Sequence, residues 1–188
     1  MIKVQNKIVD NVFSESELSN IYEHISNTPE DRQQYQDVFA QTAYFSWMPE
    51  NIINKIVSVV NDNFDTKLIL RELSFARYAN TRGKNPLLFP HTDETFKEQR
   101  VTFDIQIKAT KPWSIIVENE PYTLRDNQAL FFSGTHQVHW REKLEFEDSD
   151  YVDMIFCHFS EENPEEISEE HLLKMKNLVA SFKDQYDA

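Results

Sequence analysis

The chain is short of four things, and each shortage excludes something. Among 188 residues there is a single cysteine, Cys157, so no disulfide can close within the chain, and nothing in the thiol content argues against a reducing compartment. Only two glycines occur, Gly83 and Gly134, against a usual share of about 7%, which leaves most turns to Asn, Asp and Pro. No apolar run approaches the length of a membrane span, and the opening residues, Met1 to Lys7, lack the apolar stretch of a signal peptide. The expectation is a soluble, cytoplasmic protein with no membrane partner. Basic charge is also scarce. Nineteen Lys and Arg face 32 Asp and Glu, for a net charge of −13 and a pI near 4.8. A duplex nucleic-acid binder normally carries a basic stripe, and no dense Lys/Arg run exists here, so no duplex partner is expected.

What is present reads as a folded globular chain: 40% hydrophobic and 13% aromatic residues, with 14 Phe. Its length suits one domain over 1–188 with a substantial core. The organisation expected is helical support over 14–64, a β core over 68–159 and a terminal helix over 164–185. Val4, Ile8 and Val12 suggest an outer strand within 3–13. Ser14 stands three residues before Glu17, a capping box, and opens a helix to about Ile25. Residues 27–36 read as a polar loop and 38–47 as an ambiguous aromatic stretch. Pro49 and Glu50 start a second helix with Ile52, Ile53, Ile56, Val59 and Val60 at helical spacing. Strands follow at 68–78, 101–109, 114–118, 123–124, 129–132, 138–141 and 152–159, with a loop at 79–88. In 101–109 the alternation is cleanest: Val101, Phe103, Ile105 and Ile107 face one way, Thr102, Asp104, Gln106 and Lys108 the other. Pro164 reads as the first position of the last helix. Serial strands with short turns imply an antiparallel sandwich or jelly roll.

The chemistry concentrates in Phe89-Pro90-His91-Thr92-Asp93-Glu94 and in Phe131-Phe132-Ser133-Gly134-Thr135-His136-Gln137-Val138-His139-Trp140-Arg141-Glu142. In an extended chain residues i and i+2 share a face, so His91 and Asp93 can converge on one ion. A histidine from the second run completes a two-histidine, one-carboxylate face, which leaves the opposite coordination face open as in non-haem Fe(II) oxygenases. His136 and His139 compete for that role. They differ by three residues and so face opposite sides of a strand, and His139 shares its side with Arg141. The two glycines lie in stretches flanking these residues. The plain alternative for His91 and Asp93 is ordinary turn material.

In these residues the chain resembles the 2-oxoglutarate- and Fe(II)-dependent dioxygenases, prolyl hydroxylases among them, whose iron motif is His-x-Asp followed tens of residues later by a histidine. The resemblance spans 73–159 and rests on His91-x-Asp93, on His139-Trp140-Arg141-Glu142 and on Phe75-Ala76-Arg77-Tyr78. It implies a mainly β fold with flanking helices, a double-stranded β-helix (jelly roll) with helices buttressing one sheet. It also implies iron on His91, Asp93 and His139, and 2-oxoglutarate as cosubstrate with O2. The implied reaction is hydroxylation of a C–H bond of a peptide or small molecule, with release of succinate and CO2.

The oxo acid's distal carboxylate needs a cation inside the barrel, because a buried unpaired carboxylate is costly. Many members of that family place an arginine about ten residues after the second histidine. Here that neighbourhood is Asp148-Ser149-Asp150-Tyr151. The candidates are Arg141 first, Lys108 second and Arg77 third, with Tyr78 as a hydrogen-bonding companion; Glu142 is a possible partner for Arg141. Trp113, Trp140, Phe131 and Phe132 are candidates for a pocket wall, core packing being their commoner fate. His158, beside Cys157 on an apolar strand, reads as a satisfied core residue. Two rivals carry the same sequence: a jelly-roll binding module without turnover, and a cupin-type enzyme using these ligands with Zn or Mn and no 2-oxoglutarate.

Overall fold

Ser14 opens the first helix as its spacing to Glu17 requires. Its hydroxyl accepts from the Glu17 backbone N–H while the Glu17 carboxylate accepts from the Ser14 N–H, so two otherwise orphaned donors are satisfied at once. In the computed structural model, which describes residues 2–44, 48–80, 83–93 and 96–186, this helix is α1 (Glu15–Ser26). It is followed by α2 (Glu50–Asn61) and, at the far end, by α3 (Glu169–Tyr186). The strands among the described residues are β1 (Lys7–Val9), β2 (Gln33–Gln36), β3 (Gln41–Tyr44), β4 (Ile69–Ala79), β5 (Leu88–His91), β6 (Val101–Ala109), β7 (Ile115–Val117), β8 (Glu120–Tyr122), β9 (Gln128–Phe132), β10 (His139–Arg141) and β11 (Tyr151–Ser160). Phe45–Trp47 of the aromatic stretch, Thr81 and Arg82 of the loop, and Glu94 of the His-x-Asp motif lie outside the described residues.

Two antiparallel sheets result. The larger runs β1-β9-β6-β11-β4-β3-β2 and the smaller β5-β10-β7-β8, the jelly-roll arrangement expected from serial strands. β6 and β11 are buried almost throughout, and the reason is that both of their faces are covered. On one face α1 (Ile21, Ile25) and α2 (Ile52, Ile56, Val60) pack against Phe75, Phe103, Ile105, Phe131 and Ile155. The other face lines the interior between the sheets. α3 sits elsewhere, with Met175 and Phe182 against Val138 and Trp140, so the helices do not all buttress one sheet. No described helix is long and apolar enough to cross a membrane.

Three local expectations need correction. The stretch at 27–36 is not all loop: a 3-10 turn (Glu30–Arg32) leads into β2, which pairs with β3 across the sheet edge. The strand expected at 123–124 lies three residues earlier, as β8. There Glu118 (φ 51) and Asn119 (φ 75) make a two-residue left-handed turn between β7 and β8 without glycine. Pro121 is tolerated because β8 is an edge strand. Finally, Pro164 does not begin the last helix. The chain first makes a bridge at Glu166 to Glu98, and Ser168 then caps α3 by accepting from the His171 N–H. The expected reliance on asparagine is seen in Asn11, Asn119 and Asn127, all at positive φ.

Phe103 is the deepest test of this packing, being fully buried and stacked on Phe131 at 4.3 Å between ring centroids. Phe103→Ala is expected to cost about 3–5 kcal/mol, read as a lower urea midpoint at unchanged m-value.

Candidate active site

β5 and β10 run antiparallel with His91 and His139 directly opposite one another, which sets their rings 4.1 Å apart. Asp93 follows β5 outside regular structure. Its carboxylate Oδ1 lies 3.7 Å from His139 Nε2 and 4.0 Å from His91 Nε2. The three prospective donor atoms all fall within 4.8 Å of one another. His91 and Asp93 converge as extended backbone suggested, but Asp93 is held by the neighbouring loop and not by the strand: its N–H donates to Gly134 O at 2.9 Å.

Each ring is oriented from behind. His91 Nδ1 is 2.8 Å from Phe89 O and His139 Nδ1 is 3.1 Å from Gln137 O. A carbonyl only accepts, so each Nδ1 carries a proton, and Nε2 is the ring nitrogen turned toward Asp93. The remaining Asp93 oxygen, Oδ2, accepts from Thr102 Oγ1 at 3.2 Å and stands 3.7 Å from His158 Nδ1. Burial by itself would raise the Asp93 carboxyl, but His139, His158 and His91 around it and the Thr102 hydroxyl hold it below the ordinary carboxylate range. Burial, assisted by His91, pushes His139 down to about 3. A carboxylate and two imidazole nitrogens on one face are a donor set for a divalent first-row ion.

That face opens on a cavity of about 450 Å³. Its floor comes from the barrel-facing side chains of the large sheet, Tyr78 of β4, Thr102 and Asp104 of β6, and Phe156 and His158 of β11; Gln36, Phe39 and Gln41 stand at another part of the wall. Arg141 lies on β10, two residues beyond His139, and is 1% exposed. Its guanidinium donates to Trp113 O, lies over the Trp113 ring at 4.9 Å, and reaches Met154 Sδ at 3.8 Å. Burial lowers its pKa, opposed by Tyr78 and Asp104. Tyr78 is buried against Trp113 at 5.0 Å and raised by desolvation.

The other sequence candidates are elsewhere. Lys108 is half-exposed and pairs with Asp126 at 2.8 Å, because the end of β6 runs out to the surface; the structure gives it no place in the cavity. Arg77 faces the helices and holds Asp153 through two hydrogen bonds of 2.7 and 2.8 Å, with Tyr22 of α1 on the same carboxylate. His136 packs against His171 of α3 with ring centroids 4.4 Å apart and does not join His91, Asp93 and His139. Trp113, Trp140, Phe131 and Phe132 are core residues and none lines the cavity. His158 corrects the sequence reading in the other direction, since it faces Asp93 and the cavity. Thr102 and Asp104 were visible in the sequence only as the polar half of an alternating strand. In a jelly roll that half points inward.

No protein-family model matches the sequence, and no curated protein matches it. Solved structures do match the fold. An oxidoreductase of the 2OG-Fe(II) oxygenase family from Burkholderia pseudomallei is 13% identical, with 87% of this chain and 88% of that one covered and a TM-score of 0.65. The alpha-ketoglutarate-dependent non-heme epimerase SnoN of nogalamycin biosynthesis is 10% identical over 87% of this chain and 80% of its own, at 0.67. A Pseudomonas putida prolyl-4-hydroxylase is 6% identical over 86% and 95%, at 0.61. The chain therefore has the fold of the 2OG-Fe(II) oxygenases.

Gly134 offers a test of the site that needs no ligand. A Cβ there would lie 1.8 Å from Asp93 Oδ2 and 2.4 Å from Thr102 Oγ1. Gly134→Ala must displace the Asp93 carboxylate and is expected to cost about 1–3 kcal/mol from overpacking, measured by thermal unfolding. An unchanged melting temperature would mean that the loop and carboxylate are not in contact.

Proposed function

We propose that this chain is an Fe(II)- and 2-oxoglutarate-dependent dioxygenase that hydroxylates a C–H bond of a peptidyl side chain or a small molecule, releasing succinate and CO2. The observation that carries the proposal is the convergence of His91 Nε2, Asp93 Oδ1 and His139 Nε2 within 4.8 Å at the wall of a cavity, with both histidine tautomers set by backbone carbonyls. The donor set fits iron: two imidazoles and one carboxylate, with the cavity side left free for further ligands. When bound, the iron and the oxo acid supply the O2 activation that the side chains of this protein lack.

The residues present do the rest. His91, Asp93 and His139 would hold the metal, with Thr102 and His158 fixing the second oxygen of Asp93. Arg141 provides a buried positive charge on the same strand as His139, and Tyr78 a phenol beside it. Both suit the distal carboxylate of 2-oxoglutarate. Phe156 and Tyr78 give the cavity wall apolar surface. Hydroxylation is taken as the outcome because a prolyl-4-hydroxylase shares this fold; the epimerase with the same fold makes product analysis part of the test.

Anaerobic titration with Fe(II), then 2-oxoglutarate, is expected to produce the weak visible charge-transfer band of a chelated oxo acid. His91→Ala and Asp93→Ala should abolish it. Arg141→Leu should weaken oxo-acid binding by about tenfold or more, the order expected for a charged hydrogen bond, whereas Lys108→Ala should leave it unchanged. Tight iron binding with no band at any oxo-acid concentration would overturn the 2-oxoglutarate assignment in favour of a cupin-type metal enzyme.

A further inference from the structure

Asp104 has no task in that scheme, yet it is the most unusual group in the cavity. It sits mid-strand on β6, 3% exposed, among the cavity-lining residues, and its Oδ1 has no hydrogen-bond partner. An unpartnered buried carboxyl oxygen is costly, and a carboxyl group left in that state on a residue that lines a cavity points to a ligand that offsets the cost. The charged and titratable groups that act on it are Arg141 from β10, Asp93 from the segment after β5, Tyr78 from β4 and Cys157 from β11. From β9 its cross-strand partner is the apolar Leu130.

Its position on the strand says which part of a ligand it meets. Thr102, which holds Asp93, is two residues earlier on the same face, roughly 7 Å along the strand at the usual rise. Asp104 thus lies one layer along the strand from the residue that holds Asp93, and Arg141 is among the charges that act on it. In 2-oxoglutarate two methylenes separate the chelating head from the distal carboxylate. That carboxylate is the part of the cosubstrate that reaches this layer.

Resting on the oxygenase reading, we propose that Asp104 is a cosubstrate-binding residue that stays a neutral carboxylic acid and donates its proton in a hydrogen bond to the distal carboxylate of 2-oxoglutarate, opposite Arg141. An ionised Asp104 would instead repel that carboxylate and neutralise the arginine meant for it. Burial favours the neutral form, pushing the carboxyl up to about 8, with Asp93 adding to the rise and Arg141 opposing it. A buried acid kept protonated so that it can donate is physically sound in an apolar site.

The test is anaerobic binding of 2-oxoglutarate to the Fe(II)-loaded protein, followed by the visible band and by calorimetry, in wild type, Asp104→Asn and Asp104→Val. 2-Oxobutyrate, which lacks the distal carboxylate, serves as the comparison ligand. The amide of Asn can still donate, so Asp104→Asn is expected to bind 2-oxoglutarate within about threefold of wild type. Asp104→Val should bind it about tenfold or more weakly, with 2-oxobutyrate binding the same in all three proteins. Tighter 2-oxoglutarate binding by both variants would overturn the proposal, because it identifies Asp104 as a repelling anion. An equal loss for both oxo acids would also overturn it, because the effect would then not be at the distal carboxylate. Both results leave the oxygenase reading intact, whereas absence of any oxo-acid-dependent band in wild type defeats that reading itself. Thermal unfolding guards against misfolding, and Asp104→Val is expected to be at least as stable as wild type because it removes a buried unpartnered acid.

Discussion

The contact between Gly134 and the carboxylate of Asp93 is the constraint around which the site is assembled. The loop after β9 can approach the segment after β5 only because position 134 carries no side chain; a methyl group there would overlap Asp93 Oδ2. That approach lets Gly134 O accept the Asp93 N–H and lets Thr102 Oγ1 bridge the Gly134 N–H and Asp93 Oδ2. A negatively charged group is thereby placed within 4.0 Å of both histidines. With so few glycines in the chain, this one is spent where backbone and carboxylate must touch.

A second constraint is the division of polar residues between the two faces of the large sheet. On the helix face the Arg77–Asp153 pair is closed on itself, with geometry suited to bidentate pairing, and links β4 and β11 to Tyr22 of α1. On the inner face the polar groups are not all closed. Asp104 Oδ1 has no hydrogen-bond partner, whereas the Arg141 guanidinium donates to the Trp113 carbonyl and reaches Met154 Sδ. Satisfied polar groups hold a fold together, while open ones on a cavity wall await a ligand. The same strand, β6, therefore contributes both to the core, through Phe103 and Ile105, and to the cavity, through Thr102 and Asp104.

Local rules made much of this legible. The capping box at Ser14, the helical spacing from Ile52 to Val60 and the alternation from Val101 to Ala109 each reflect a preference exerted within a few residues, and each element formed where its pattern stands. The His-x-Asp pair and His139 were legible as chemistry, because few residue types coordinate metals. β2 was not legible, since its Gln-rich sequence has no apolar period and exists as a strand only through pairing with β3. Nor was the β7–β8 turn, which departs from the glycine preference of such turns.

By itself, then, the sequence determined the elements, the jelly-roll class and the identity of the three prospective ligands, because those depend on period and on side-chain chemistry. Tertiary structure decided where the three candidate cations lie. Arg77, Lys108 and Arg141 are all strand residues, and the sequence ranks Arg141 first only because it shares a side with His139. Only the packing of helices on one face of the sheet and a second sheet on the other sends Arg77 to Asp153, Lys108 to Asp126 at the surface, and Arg141 into the interior. It likewise turned His158, an apparent core histidine, and Asp104, on the polar side of its strand, into walls of the cavity. The physical reason is that strand alternation specifies two faces but not which of them is enclosed, and enclosure is a property of the whole chain.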